Sequence, residues 1–153
     1  MDFFQVVDDL VFEHGSSKAL MQHVTRCIAI SDELSHIKPK RDQRKWKECA
    51  MTTHYVCLST SEESNVGSMR LVYDDAYCVI DYLFIVPYAR KQGLANKLIQ
   101  FAQQFAMTDG ARLLLCLATE DSCSYWMTRG FCLKPNEEER LNPYDDTYLL
   151  SLA

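Results

Sequence analysis

Asp81, Arg90, Lys91, Gly93 and Lys97 lie within one short stretch, Asp81 to Leu98, and their types and spacing suit the binding of an anion beside an acid/base group. An apolar strand runs into Val86-Pro87, then a short basic loop containing Gly93, then the first turn of an amphipathic helix. The first turn of a helix leaves about four N–H groups without intrahelical partners, and the aligned peptide dipoles add roughly half a positive charge there. Glycine lets the main chain come close to a ligand, while Arg and Lys supply cationic donors that match phosphate oxygens. Neither the G-x-G-x-x-G dinucleotide fingerprint nor the Gly…Gly-Lys-Ser/Thr phosphate loop occurs in the chain, so a different phosphate-bearing cofactor is implied.

Arg90-x-x-Gly93-x-Ala95, following a strand that ends in Val-Pro, resembles the Arg/Gln-x-x-Gly-x-Gly/Ala signature of the GNAT superfamily of acyl-CoA-dependent N-acetyltransferases. The resemblance runs from about residue 67 to residue 131. In the N-terminal third it is one of layout, loosely nearest to histone and protein-lysine members. It implies acetyl-CoA (coenzyme A) as cofactor, with the pyrophosphate held by Arg90, Lys91, Gln92, Gly93, Leu94, Ala95 and Asn96. It also implies that Leu83, Phe84 and Ile85 offer main-chain groups to the pantetheine arm, and that backbone N–H groups near a break in that strand stabilise the developing oxyanion. Thr119 stands where the family often has an asparagine that contacts the cofactor, and Ser122 lies in the helix expected along the arm.

An amine is protonated at neutral pH and must lose a proton before it can attack a thioester. Side chains alternate along a strand, so Tyr77, Val79 and Asp81 share a face. Many GNAT enzymes carry their acid/base carboxylate at the position of Asp81, whereas histone-type members use a glutamate at the position of Val79, a pattern this chain lacks. Asp81 is therefore the candidate base, with Tyr77 as a water-positioning neighbour; the structural alternative is a buried ion pair. The family's proton donor to the departing thiolate is often a tyrosine four residues before a Gly-Phe pair. In Ser124-Tyr125-Trp126-Met127-Thr128-Arg129-Gly130-Phe131 that position holds Trp126, whose indole is too weak an acid. Tyr125, one residue earlier, is the candidate donor and cofactor contact, with packing the alternative for both rings.

At 153 residues, 48% apolar and 24% charged, the chain reads as one globular domain covering 1–153. No apolar run of 18 residues occurs and the N-terminal Met1-Asp2-Phe3-Phe4 is not basic, so the expectation is an intracellular, cytoplasmic or nuclear protein that neither spans nor binds a membrane. Seven cysteines without Cys-x-x-Cys spacing suggest reduced thiols, with Cys57, Cys78 and Cys116 buried in strands. The four histidines have no metal-ligand spacing, so no metal is expected. A net charge of −5 argues against direct nucleic-acid binding and favours a cationic amine acceptor, such as a basic peptide, a protein or a polyamine. The acidic clusters Glu137–Glu139 and Asp145-Asp146, and the basic run Lys38–Lys47, read first as solvated charge.

The elements that must position these residues follow from periodicity. Strands are expected at 3–7, 55–59, 68–73, 77–86, 112–118 and 130–133, with a last edge strand at 147–152; helices are expected at about 17–30, 92–107 and 121–128. The strand, helix, strand order from 77 to 118 makes a right-handed crossover between parallel strands. The result is an α+β (mixed α/β) fold, GNAT-like, with a mostly antiparallel sheet of six to seven strands and helices on both faces. The function implied is transfer of acetyl from acetyl-CoA directly to a primary amine, on a protein or peptide lysine or N-terminus. The alternatives are a small-molecule amine (polyamine, aminoglycoside or amino acid) and a weakly catalytic acyl-CoA-binding module, acting as monomer or homodimer.

Overall fold

The structure, a computed structural model, describes residues 2–35, 52–74, 76–108, 113–119, 122–133 and 147–152. The basic run Lys38–Lys47 and both acidic clusters lie outside them. The elements are β1 (Phe3–Val7), β2 (Leu10–Gly15), α1 (Lys18–Ser35), β3 (Thr52–Ser59), β4 (Gly67–Tyr73), β5 (Tyr77–Ile85), α2 (Leu94–Thr108), β6 (Leu113–Thr119), α3 (Cys123–Met127), β7 (Phe131–Leu133) and β8 (Thr147–Leu152). A 3₁₀ turn, Pro87–Ala89, joins β5 to the loop before α2. The strands form one hydrogen-bonded sheet in the order β1-β2-β3-β4-β5-β6-β8-β7.

The sheet has eight strands where the sequence predicts six to seven. The added strand is β2, which pairs antiparallel with β1 from Phe3–His14 to Val7–Leu10. Asp8, at φ 55°, takes the left-handed conformation of the tight turn between them, one that aspartate tolerates better than most residues. β8 is not the edge strand. It inserts between β6 and β7, pairing Thr119 with Thr147 on one side and Phe131 with Leu152 on the other, so the three-residue β7 forms the edge. Leu150, fully buried in β8, shows why: an apolar strand of six residues hides more surface in an interior position than a strand of three.

The described residues fall into two compact units. The first gathers β1, β2, α1, β3, β4 to Leu71, β5 from Tyr82 and α2 to Ala102. The β2–β3 register pairs Phe12 with Leu58 and His14 with Val56 on one face, and Glu13 with Cys57 and Gly15 with Tyr55 on the other. α1 covers the second face, with Leu20 and Val24 in a buried cluster with Tyr55, Cys57 and Tyr82. Each such apolar side chain contributes on the order of 2 kcal/mol. Ser17 caps this helix through its hydroxyl, which accepts the Leu20 N–H at 3.2 Å. α2 covers the first face, where Phe101 stacks on Phe12 at 5.0 Å and meets the His14 ring edge-on at 4.9 Å. Gly67 admits α2 closely, since a Cβ there would stand 2.7 Å from Ile85 Cδ1 and 3.3 Å from Leu98 Cδ1.

The second unit holds β4 from Val72, β5 to Asp81, the end of α2, β6, α3, β7 and β8. β5 pairs parallel with β6 from Tyr77–Leu113 to Ile80–Cys116, as the crossover predicts. Cys78, Val79, Ile80, Leu115 and Cys116 are fully buried, which suits a strand pair covered on both faces. Trp126 is buried edge-on against Phe131 at 5.1 Å, which gives the indole a packing role.

Under the first strand, His14 Nδ1 and His54 Nε2 lie 2.9 Å apart, a hydrogen bond in which one neutral ring donates and the other accepts. Phe3 covers His14 at 5.6 Å. Burial, then the His14 charge, pushes His54 down to about 4 against the opposing pull of Asp2, and burial lowers His14 as well. Both rings thus titrate lower in the folded chain than in the unfolded one. The unfolded chain binds more protons between pH 6.5 and about 4, so stability is intact above that window and is lost as pH falls through it. Allowing for solvent screening, the loss is about 1–2 kcal/mol, or roughly 5 °C in melting temperature. Thermal melts from pH 7 to pH 4 should show that much more decline for the native chain than for His54→Gln; equal declines exclude the pair as the cause.

Candidate active site

β5 carries a local irregularity. At one end Val86 N–H donates to Val66 O, and at the other Asp74 N–H donates to Tyr77 O, both at 2.9 Å. Between these bonds β4 spends eight residue steps, 66 to 74, while β5 spends nine, 77 to 86. The extra residue is a β-bulge, and Tyr82, at φ 57°, marks it. A left-handed aromatic residue is uncommon, and it sits in a strand buried on both sides of it: Cys78 to Tyr82 are all buried, Leu83 is half-buried, and Phe84 and Ile85 are buried again. The parallel ladder reaches Ile80, and β5 then runs on through the bulge to Ile85 while β6 runs on to Thr119.

Beyond β5, the Pro87–Ala89 turn leads to Arg90 in an extended conformation, then to Lys91 at φ 65° and Gly93 at φ 77°. The two left-handed residues turn the chain sharply into α2, whose first bond runs from Lys97 N–H to Gly93 O at 3.2 Å. The N–H groups of Gly93, Leu94 and Ala95 precede that bond, at the positive end of the helix dipole. A Cβ built on Gly93 meets no atom within 4 Å, so the main chain there faces open space. Lys91, Gln92 and Asn96 are exposed around it, and Leu94 is buried as the anchor. Arg90 does something the spacing did not suggest: its Nε donates to Ile85 O at 2.8 Å, and its guanidinium lies 5.6 Å from the Phe84 ring centroid. It ties the loop back to the end of β5 with one edge of the guanidinium. The loop is suited to a pyrophosphate through backbone donors, local cations and an open approach.

Asp81 is 2% exposed, immediately before the bulge, and Tyr77 is half-buried on the same strand face. Tyr77 is held by its main chain, its N–H donating to Asp74 Oδ1 at 2.8 Å. In the same unit, Tyr125 on α3 is half-buried and its hydroxyl is fully enclosed with no hydrogen-bond partner among the described residues. Burial raises its pKa against the opposing pull of Arg129, so the phenol keeps its proton at neutral pH. Arg129 also stacks 3.6 Å over the Tyr125 ring while its Nη1 donates to Tyr125 O at 3.1 Å, which fixes the ring's plane. Ser122 is half-buried just ahead of α3, and Thr119 is the last β6 residue, paired with Thr147.

Sequence reasoning missed Arg70, Tyr55, Tyr82 and Arg129. Arg70 is 1% exposed and its guanidinium lies 3.8 Å over the Tyr82 ring. Its signal was legible, since an arginine between Met69 and Leu71 in an apolar strand asks for a partner.

Comparison with known proteins agrees with this architecture. The profile of the acetyltransferase (GNAT) family matches residues 17–131. An acetyltransferase of the GNAT family from Staphylococcus aureus superposes with a TM-score of 0.70 at 11% identity, covering 93% of this chain and 99% of its own. A GNAT family acetyltransferase from Elizabethkingia anophelis, solved with acetyl-CoA bound, gives 0.62 at 11% identity over 95% and 99%. N-acetylglutamate synthase from Neisseria gonorrhoeae, complexed with coenzyme A and L-arginine, gives 0.65 at 16% identity, with 93% of this chain matching 32% of that one. Among curated proteins none matches the chain by sequence. With the family profile spanning most of its length, and a bulged strand leading through a glycine turn into a helix, the chain belongs to the GNAT acetyltransferase family.

Proposed function

We propose that the chain, acting as one domain, transfers acetyl from acetyl-CoA directly to a primary amine, with a protein or peptide lysine or N-terminal amine as acceptor. The observation that carries this reading is the Arg90–Asn96 turn, whose left-handed Lys91 and Gly93 leave an open approach to the first turn of α2. Family membership supports acetyl-CoA as cofactor, and the net charge of −5 supports a cationic acceptor. A small-molecule amine is the second reading, favoured by the likeness to N-acetylglutamate synthase.

When bound, acetyl-CoA supplies the acyl group activated as a thioester. The main chain of residues 91–96 and the cations of Arg90 and Lys91 would hold its pyrophosphate, and the main chain of Leu83–Ile85 would orient the pantetheine arm. Asp81 takes the proton from the ammonium of the acceptor, with Tyr77 beside it on the strand to position a water. Tyr125 keeps a proton on its phenolic oxygen for the departing thiolate. Its enclosed, unpartnered hydroxyl supports that role, because a buried donor left unmet favours any acceptor brought to it. No described helix is long and apolar enough to cross a membrane, and among the described residues no group of side chains could hold a metal ion.

Acetyl-CoA should raise the melting temperature, and adding the right amine should release free thiol. A screen across basic peptides, polyamines, aminoglycosides and amino acids identifies the acceptor class, and no melting shift at saturating acetyl-CoA rejects the proposal. Asp81→Asn should keep the acetyl-CoA shift yet lose about 10²-fold in turnover; full turnover removes Asp81 as the base. Tyr125→Phe deletes a hydroxyl with no hydrogen-bond partner among the described residues, so its melting temperature should stay equal or rise while turnover falls on the order of 10²-fold. Unaltered turnover in that variant makes the ring a packing element.

A further inference from the structure

The bulge at Tyr82 needs something to hold it. Tyrosine prefers extended strand backbone, and φ 57° is uncommon for a bulky side chain without local support. That support is Arg70. On the face covered by α1, its guanidinium lies 3.8 Å from the Tyr82 ring centroid, a distance at which the cation and the ring's electron-rich face attract. Tyr55 belongs to the same buried cluster, and the Arg70 charge pulls its phenol down in pKa against the rise that burial causes. Leu20, Val24 and Cys57 enclose the two tyrosines, so water does not weaken the contact. Arg70 itself is 1% exposed, and a charge so deeply buried is costly unless its interactions repay the desolvation.

We infer that Arg70 is a positioning residue: by clamping Tyr82 in its left-handed conformation, it sets the direction in which the main-chain groups of Leu83, Phe84 and Ile85 point. The consequence reaches the loop as well, because Ile85 O is the acceptor that anchors Arg90. The inference rests on the proposed role of Leu83–Ile85 in holding the pantetheine arm. It adds that this role depends on a cation of the neighbouring strand β4, acting through the Tyr82 ring.

The test compares two replacements of Tyr82 and two of Arg70. Asparagine adopts left-handed backbone readily, whereas β-branched valine resists it, and both delete the ring. A packing role ranks Tyr82→Val as the milder change. Clamping predicts the reverse: Tyr82→Asn should bind acetyl-CoA about tenfold more tightly than Tyr82→Val. Arg70→Met should raise the KM for acetyl-CoA about tenfold, with Arg70→Lys recovering part of it, because lysine keeps the charge but not the planar stack. In the Tyr82→Asn background, Arg70→Met should have almost no further effect. Hydrogen exchange read on the peptide covering residues 82–86, without cofactor, should be faster in Arg70→Met than in the native chain. Equal affinities for the two Tyr82 variants, an unchanged KM and exchange in Arg70→Met, or a full Arg70 effect in the Tyr82→Asn background overturns the clamp. If the native chain itself shows no acetyl-CoA shift, the proposed function falls; if it does and Arg70→Met matches it, only the clamp falls.

Discussion

One extra residue in β5 governs how this chain presents its functional groups. Antiparallel pairing with β4 ties both ends of the strand, so the nine steps of β5 must be accommodated against eight, and the surplus collects at Tyr82. A regular strand would carry its side chains in strict alternation and its amides in a continuous ladder. The bulge breaks both patterns at one point. Upstream of it the strand is committed to β6, residue for residue from Tyr77 to Ile80. Downstream, Leu83 to Ile85 lead through the Pro87–Ala89 turn into the glycine turn before α2.

Backbone strain at such a point is stable only when the surroundings specify it, and here they do so with a buried cation stacked over the Tyr82 ring. The chain places a charged group where an apolar one would be cheaper to bury. A similar logic applies at Tyr125. Its ring is pinned by Arg129, yet its hydroxyl is enclosed with no partner among the described residues, and such a group in a native fold calls for a purpose. Arginine thus serves three times to orient something else: Arg70 a bulge, Arg90 the loop return, Arg129 a phenol. In each case the planar guanidinium offers both a face for stacking and edges for hydrogen bonds, a combination lysine lacks.

Much of the frame is legible in the amino-acid sequence. The helix start at Ser17, the helical periodicity behind Gly93 and the parallel crossover from Tyr77 to the strand at Leu113 all follow from short-range patterns, because capping, amphipathic spacing and crossover handedness depend on neighbouring residues. The missed strand β2 had a local cue in Asp8-Asp9, but Leu10 to Gly15 mixes apolar and charged residues without a clean period. The place of β8 was not open to such reading, since the order of strands is decided by which pairing buries most surface across distant segments.

By itself the sequence determined the chemistry on offer: a basic glycine turn at a helix start, a carboxylate in an apolar strand, and a tyrosine near a Gly-Phe pair, each dictated by residue type and local spacing. Only the tertiary structure decided how these groups are held. Tyr82 is a strand former whose left-handed turn arises from a count of residues across two paired strands, and nothing in its own neighbourhood signals it. Arg70 stacks on it, and Arg90 bends back to Ile85, because packing brings side chains far apart or differently aimed in the chain to the same few ångströms. Local patterns carry information over a few residues, whereas strain and desolvation are settled by everything that surrounds a group once the chain is closed around it.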